Sequence, residues 1–202
     1  MFGPVLGIDP GVSCCGFGAV TQDGSRLQAL SAGVIRTPAT DPLPERLAAL
    51  QADLESLVAE VQPAAVAVER VFFQVNVRTA MSVGQASGLA LAVAARAGVP
   101  VCQYTPNEVK QAVAGYGAAG KAQVQAMVTK LLRLPEAPRP PDAADALALA
   151  ICHLSSTRFR ARVDVKARPA AEEATRLARA IALAVAAGAS PGSGRAGREE
   201  ER

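Results

Sequence analysis

The sequence predicts an α/β fold: a five-stranded mixed sheet, three antiparallel strands followed by two parallel ones, flanked by helices. Three observations carry this prediction. The first third of the chain breaks into short apolar runs separated by turn residues, the pattern of an antiparallel meander. After it, apolar residues at three- and four-residue steps mark helices, and these alternate with two further short apolar runs. The resulting order, βββαβαβα, joins the last two strands through crossover helices, which makes them parallel. In that layout the first and fourth strands are neighbours.

Each element has its own signals. Pro4 to Asp9 reads as the first strand, and Pro10-Gly11 turns the chain after it, because proline fixes φ and glycine tolerates φ > 0. Gly16 to Val20 reads as the second strand, Asp23-Gly24 as a hairpin turn and Leu27 to Ile35 as the third strand. Asp41 precedes a helix whose apolar face is Leu47, Leu50, Leu54, Leu57, Val58 and Val61, and Pro63 stops it. Ala64 to Val68 is nearly all apolar, as a strand covered on both faces should be. Residues 72–76 read as a loop, and Ala80 to Arg96 as a long helix rich in Gly, Ser and Ala, ended by Gly98. Val99 to Tyr104 is the fifth strand. Pro106 starts a short helix carrying Lys110, Gly115-Tyr116-Gly117 turns, and Lys121 opens another helix. A proline-rich linker, 135–141, leads to a last helix over Asp142 to Ser155.

Composition sets limits. The 202 residues suit one domain with an appendage, and with few aromatics and no Trp the core must be filled by Ala, Val and Leu. No apolar stretch reaches membrane-spanning length, and the N-terminus lacks the basic region of a signal peptide, so no membrane association and a cytoplasmic location are expected. Cys14, Cys15, Cys102 and Cys152 lack zinc-ligand spacing and are expected as buried, reduced thiols. The net charge is only +3, but from Arg70 to Arg139 eight Lys/Arg face two acids, a basic surround suited to a phosphate polyanion. Residues 157–202 carry ten Lys/Arg against six acids. This predicts a 1–156 catalytic domain and a basic 157–202 extension, with a helix over Glu172 to Ala187 and disorder over 188–202.

Carboxylates recur beside this apolar framework. Asp9 ends the first strand and Glu69 follows the fourth, so strand adjacency puts the two face to face at one sheet edge. Asp142 and Asp145 stand at i and i+3 and share a helix face. Acids are also favoured at helix N-termini, and Asp142 can serve as a cap there. Yet the surrounding Ala-rich sequence is not that of a solvated surface, and a carboxylate pair beside a core needs a partner. No Lys or Arg lies on the helix with them, whereas a divalent metal would serve. All-oxygen ligands suit Mg²⁺ or Mn²⁺ rather than zinc. Two such ions about 4 Å apart clamp the attacking and leaving oxygens of a phosphodiester. His153 is the only histidine and reads as packing or surface, and Gly115 to Lys121 lacks the register of a nucleotide-binding loop.

The ordered set GIDPG with Asp9, AVERVFF with Glu69 and Phe72, NEVKQAVAG with Lys110, GKAQVQAMV with Lys121, and DAADALALAICH with Asp142 and Asp145 resembles the RuvC-type Holliday junction resolvases. The resemblance runs from about Val5 to His153. It implies an RNase H-like fold, a homodimer, and Mg²⁺-dependent symmetric nicking of opposed strands at a four-way DNA junction during recombination and repair. It also implies a T-rich cognate sequence and action with the RuvA–RuvB branch-migration complex. The family's four acids fall on Asp9, Glu69, Asp142 and Asp145, its loop aromatic on Phe72 and its site lysine on Lys121.

The expected site therefore has Asp9, Glu69, Asp142 and Asp145 as catalytic metal ligands for two ions, with Lys121 shaping charge near the transition state. Phe72, Phe73, Arg78, Lys110 and Lys121 are the expected DNA contacts. Phe72 is placed to stack on an unpaired base, and Phe73 is the more core-like of the two. Other readings are an RNase H-like nuclease for another structured nucleic acid, an actin-like ATPase or kinase, and a non-catalytic junction-binding module. The kinase reading expects a second nucleotide-binding half that this chain is too short to supply. Four intact acids, which repel DNA without metal, speak against a mere binding module.

Overall fold

The computed structural model describes residues 2–70 and 77–157. The chain divides into two units, Met1–Thr157 and Arg158–Arg202. The second unit, with the expected 172–187 helix and the disorder expected over 188–202, lies outside the described residues, as do Phe72 and Phe73.

The first unit is a single five-stranded sheet with helices on both faces. Its strands are β1 (Phe2–Asp9), β2 (Cys14–Asp23), β3 (Arg26–Arg36), β4 (Ala65–Glu69) and β5 (Val101–Tyr104), and its helices are α1 (Leu43–Val61), α2 (Val77–Arg96), α3 (Pro106–Ala114) and α4 (Lys121–Leu132). A further helix, α5, covers residues 141–157. Sheet order is β3-β2-β1-β4-β5. β1 pairs antiparallel with β2 and parallel with β4, so the expected neighbours are neighbours, and Ile8 stands beside Val68 in register.

Several boundaries differ from expectation for physical reasons. β2 and β3 extend past their apolar stretches, because main-chain pairing continues from Cys14↔Arg36 to Asp23↔Arg26 whatever the side chains. The hairpin turn itself is Gly24-Ser25, one residue later than the Asp-Gly signal, with Gly24 at φ +55°. α2 starts at Val77 rather than Ala80. β5 starts at Val101 rather than Val99, because the Val99 N–H is spent on Ala94 at the end of α2. α1 starts at Leu43, ends on Gln62 in the left-handed region, and is stopped by Pro63 as expected. α3 has the full capping box: the Thr105 side chain accepts from the Glu108 N–H, and Glu108 accepts from Thr105.

The period-two alternation of the strands decides which side chains meet which helices. Leu6, Ile8, Val66 and Val68 point to one face, where they pack with Leu50, Leu54 and Val58 of α1 and Ala90 and Val93 of α2. Burying a leucine such as Leu50 there contributes about 1.5–3 kcal/mol. Val5, Val20 and Ala67 point to the other face, against α3, α4 and α5. Asp9 and Glu69 continue this second set, Asp9 two residues beyond Gly7 and Glu69 two beyond Ala67.

Two of the four cysteines depart from expectation. Cys15 and Cys152 are buried, but Cys14 and Cys102 are only half-buried; all four are free thiols. Burial pushes the Cys15 thiol up to about 12 and the Cys152 thiol up to about 11. Among the described residues no helix is long and apolar enough to cross a membrane.

Candidate active site

α5 lies almost directly on the strands that carry the acids. Gly7 on β1 and Gly16 and Gly18 on β2 form the floor beneath it. A Cβ at Gly7 would strike the carbonyl of Ala146, one at Gly16 the carbonyl of Asp142, and one at Gly18 would come within 2.7 Å of the Leu147 side chain. Only hydrogen fits at these points, so backbone meets backbone, and Asp142 and Asp145 are held above the ends of β1 and β4. In β1 the acid and the glycine beneath the helix are two residues apart, on the same face of the strand. The GIDPG segment therefore supplies both an acid and the space for the helix that brings two more.

Asp9, Glu69 and Asp145 line one cleft of about 350 Å³, together with Lys110 and Lys121 and the apolar wall of Val109, Val124, Ala148 and Leu149. Lys121 Nζ sits 2.7 Å from Asp145 Oδ2. Asp142 is absent from the cleft lining and stands beside Cys14, whose Sγ donates to Asp142 Oδ2 at 3.6 Å. Asp142 still acts on Asp9 through its charge.

The electrostatics follow from this crowding. Burial, then the charges of Glu69, Asp145 and Asp142, push the Asp9 carboxyl up to about 7, against a smaller downward pull from Lys121. Glu69 is also raised, by burial and by Asp145, with Lys121 and Lys110 opposing. Lys121 is raised chiefly by its hydrogen bond to Asp145. The Cys14 thiol is raised by burial and by Asp142, which keeps its proton available for the carboxylate.

These residues fit a hard divalent cation by donor chemistry and charge. The donors are carboxylate oxygens, and one lysine in contact does not balance the acids around Asp9. As they stand, no three His, Cys, Asp or Glu side chains among the described residues converge on a single ion position. Asp142 stands outside the cleft beside Cys14, and Lys121 takes up Asp145.

Of the expected DNA contacts, Lys110 and Lys121 are brought into the cleft. Arg78 lies in the first turn of α2, and Phe72 and Phe73 lie outside the described residues. His153 is no part of the cleft lining; its Nδ1 is 2.9 Å from the Tyr104 hydroxyl.

Sequence reasoning missed two features. From sequence Cys14 reads only as a buried thiol, yet counting two residues back from Gly16, which pairs with Asp9, places it on the acid face. The other is a clamp on the loop that follows Asp9. The buried Thr37 hydroxyl donates to the Val12 carbonyl at 2.6 Å, and Arg46 of α1 donates from Nε to Thr37 Oγ1 at 3.0 Å and from Nη2 to the Ser13 hydroxyl. A lone arginine in the first turn of an amphipathic helix gives no signal of such a role.

A mixed sheet of this order, with acids ending its two central parallel strands and a third and fourth supplied by a helix across them, defines the class of RNase H-like nucleases. The family model for the crossover junction endodeoxyribonuclease RuvC matches residues 5–153, and the chain belongs to that family. It is 56% identical over 151 residues to the crossover junction endodeoxyribonuclease RuvC of Parafrankia sp., covering 74% of this chain and 85% of that one. It is 49% identical over 169 residues to the RuvC of Syntrophomonas wolfei, covering 84% of this chain and 98% of the relative. Among solved structures it is similar to Thermus thermophilus RuvC in complex with a Holliday junction substrate, with a TM-score of 0.74 and 42% identity over 77% of this chain and 95% of that one.

Proposed function

We propose that this chain is a metal-dependent endonuclease that resolves four-way (Holliday) DNA junctions by nicking opposed strands symmetrically. The observation that carries the reading is the crowding of acids around Asp9 at the end of β1, within a match to a junction-resolving family over residues 5–153. In this reading residues 1–156 are the nuclease domain and 157–202 an appended basic segment that adds nonspecific phosphate attraction.

Asp9, Glu69, Asp142 and Asp145 are the ligands for two Mg²⁺ ions, with Mn²⁺ an acceptable substitute. When bound, the ions supply an activated water and charge stabilisation for the leaving 3′ oxygen. The protein's own share is placement. The glycine floor fixes the separation between the strand acids and the helix acids. Val109, Val124, Ala148 and Leu149 make one wall of the cleft apolar, which strengthens every charge interaction inside it. Cys14 holds the Asp142 carboxylate through its thiol hydrogen. Lys121 restrains Asp145 and keeps a positive charge beside the scissile phosphate, and Lys110 adds a second across the cleft. Phe72 stacks on an unpaired base near the cut, with Phe73 and Arg78 as further DNA contacts.

Cutting two opposed strands takes two sites, and each chain carries one, so the working form is a two-fold dimer. α2 supports this: Ala86, Ala90 and Ala94 are buried on the core side, whereas a Cβ at Gly84 or Gly88 would meet nothing within 4 Å and Met81 is 59% exposed. The RuvA–RuvB branch-migration complex is the expected partner on the junction, and the chain works in the cytoplasm.

The test is cleavage of a synthetic four-way junction with Mg²⁺, beside linear duplex and RNA–DNA hybrid. Paired nicks at symmetric positions in the junction alone are expected. Equal cutting of the hybrid, or none of any substrate, would overturn the reading.

A further inference from the structure

We infer that Arg46, Ser13 and Arg36 form a phosphate-binding subsite for the DNA backbone, beside the acid cluster and apart from the cleft that Lys110 and Lys121 line. This rests on the nuclease reading and deepens it. The five strands place these residues at one sheet edge. β1, β3, β4 and β5 all end there, at Asp9, Arg36, Glu69 and Tyr104, as the register pairs Cys14↔Arg36 and Glu69↔Tyr104 show. Ser13 lies in the loop four residues after Asp9, and Arg46 in the first turn of α1 reaches that loop.

The Arg46 guanidinium is set against two neutral hydroxyls. Among the described residues no carboxylate comes within ion-pair distance of Arg46 or Arg36; the two ion pairs there are Arg96–Glu55 and Lys121–Asp145. Nε and Nη2 of Arg46 are used on Thr37 and Ser13, and its Nη1 hydrogens have no partner among the described residues. Because the Ser13 oxygen accepts from Arg46, its own hydrogen is free to donate outward. A fixed guanidinium edge with a hydroxyl donor beside it matches the tetrahedral oxygens of a phosphodiester. Arg36 is exposed, close enough to the cluster for its charge to act on Cys14, and adds a second cation. The acid cluster then has two sets of cations near it, Lys110 and Lys121 in the cleft and Arg46 and Arg36 at the loop after Asp9 and the end of β3. A strand whose scissile phosphate sits over the acids is then held by its backbone at a second point outside the cleft.

The Thr37 and Ser13 bonds would also suit a purely structural clamp on the Asp9 loop, so the test needs a readout that a clamp does not move. Binding of the full-length protein to a synthetic four-way junction is measured in EDTA between about 50 and 200 mM salt. Arg46→Gln and Arg36→Gln are each expected to flatten the slope of log affinity against log salt by about 0.9 and to weaken binding about tenfold at the lower salt, less at the higher. Arg46→Lys should restore the slope and only part of the affinity, because the charge returns without the fork. Slopes unchanged in both glutamine variants would overturn the subsite, whatever their melting temperatures. Arg36 has no hydrogen-bonded side-chain partner among the described residues, so its variant decides the matter if Arg46→Gln fails to fold. If wild type binds no junction, the nuclease reading falls as well; if wild type binds and cuts while the slopes stay put, only the subsite falls.

Discussion

On one face of the sheet α5 rests on hydrogen atoms; on the other, α1 and α2 rest on side chains. Gly7, Gly16 and Gly18 bring the α5 backbone against β1 and β2, whereas Leu6, Ile8, Val66 and Val68 keep α1 and α2 a side chain's length away. The charges differ in the same sense. The α1–α2 face carries one ion pair among the described residues, Arg96–Glu55 at 3.2 Å, with side chains 71% and 44% exposed, in water that already solvates both. The α5 face carries Lys121–Asp145 amid two further acids in a partly apolar cleft. A side-chain interlayer tolerates adjustment; a backbone contact does not. The face that fixes its helix most tightly is the one where carboxylates are crowded against their own electrostatic preference, and that conjunction marks the functional face.

The largest expected effect breaks the acid face without changing its shape. Asp9→Asn, Glu69→Gln and Asp142→Asn should each lower junction cutting on the order of 10³-fold or more, since each amide removes a charge and spoils a metal ligand. Asp145→Asn should do the same unless it serves as an outer ligand. Junction binding in EDTA should equal or exceed that of wild type, because one repulsive charge is gone. Binding lost in step with cutting, on a folded variant, would refute the ligand assignment for that residue.

Next come the glycines, where the two faces should respond with opposite sign. Gly16→Ala drives a methyl group into the Asp142 carbonyl and should destabilise by roughly 1–3 kcal/mol while also displacing the helix acids. Gly88→Ala on α2 meets nothing within 4 Å and should stabilise the isolated chain by about 0.5–1 kcal/mol through helix propensity. If α2 is the dimer surface, sedimentation should show Gly88→Ala weakening self-association despite the higher melting temperature. A dimer as tight as wild type would move the interface elsewhere.

How much of this was legible beforehand follows the same division. The adjacency of β1 and β4 and the nearness of Asp9 to Glu69 were readable, because an apolar run's length and the handedness of crossovers constrain topology strongly. The acids on α5 were readable as a pair from their spacing. What could not be read was the depth of α5's approach: Gly16 and Gly18 look like strand glycines until Asp142 and Leu147 are placed above them. The Cys14–Asp142 contact and the Arg46–Thr37–Ser13 clamp join residues far apart in sequence through side-chain geometry, which no local pattern encodes. Strand ends were misjudged where main-chain pairing outran hydrophobicity, as at Cys14↔Arg36.

A pH series sharpens the contrast further. The Asp9 carboxyl is pushed up to about 7 from an ordinary 3.8, so the folded state holds a proton that the unfolded chain releases. Stability from that proton is fully present below about pH 4 and is lost as pH rises through about 7. In EDTA, wild type should therefore lose on the order of a few kcal/mol across that window, with Glu69 adding in the same direction. Asp9→Asn should flatten most of the slope, and Mg²⁺ should restore stability at pH 8. A melting temperature in EDTA that rises between pH 5 and 8 would contradict the crowding.

The smallest effect belongs to the other face, and its smallness is the point. Arg96 and Glu55 form an ion pair as plain in geometry as Lys121 and Asp145. It is exposed, however, and holding two long side chains together in water gains little after their lost freedom is counted. A double-mutant cycle on Arg96→Ala and Glu55→Ala should return a coupling of about 0–0.5 kcal/mol, abolished by high salt, with no change in cutting. The same cycle on Lys121→Met and Asp145→Asn should show strong coupling in cutting rate, because each residue acts on the same charge-crowded cleft. If instead the Arg96–Glu55 cycle altered cutting, the two faces would not be independent. The assignment of chemistry to the α5 face alone would then fail.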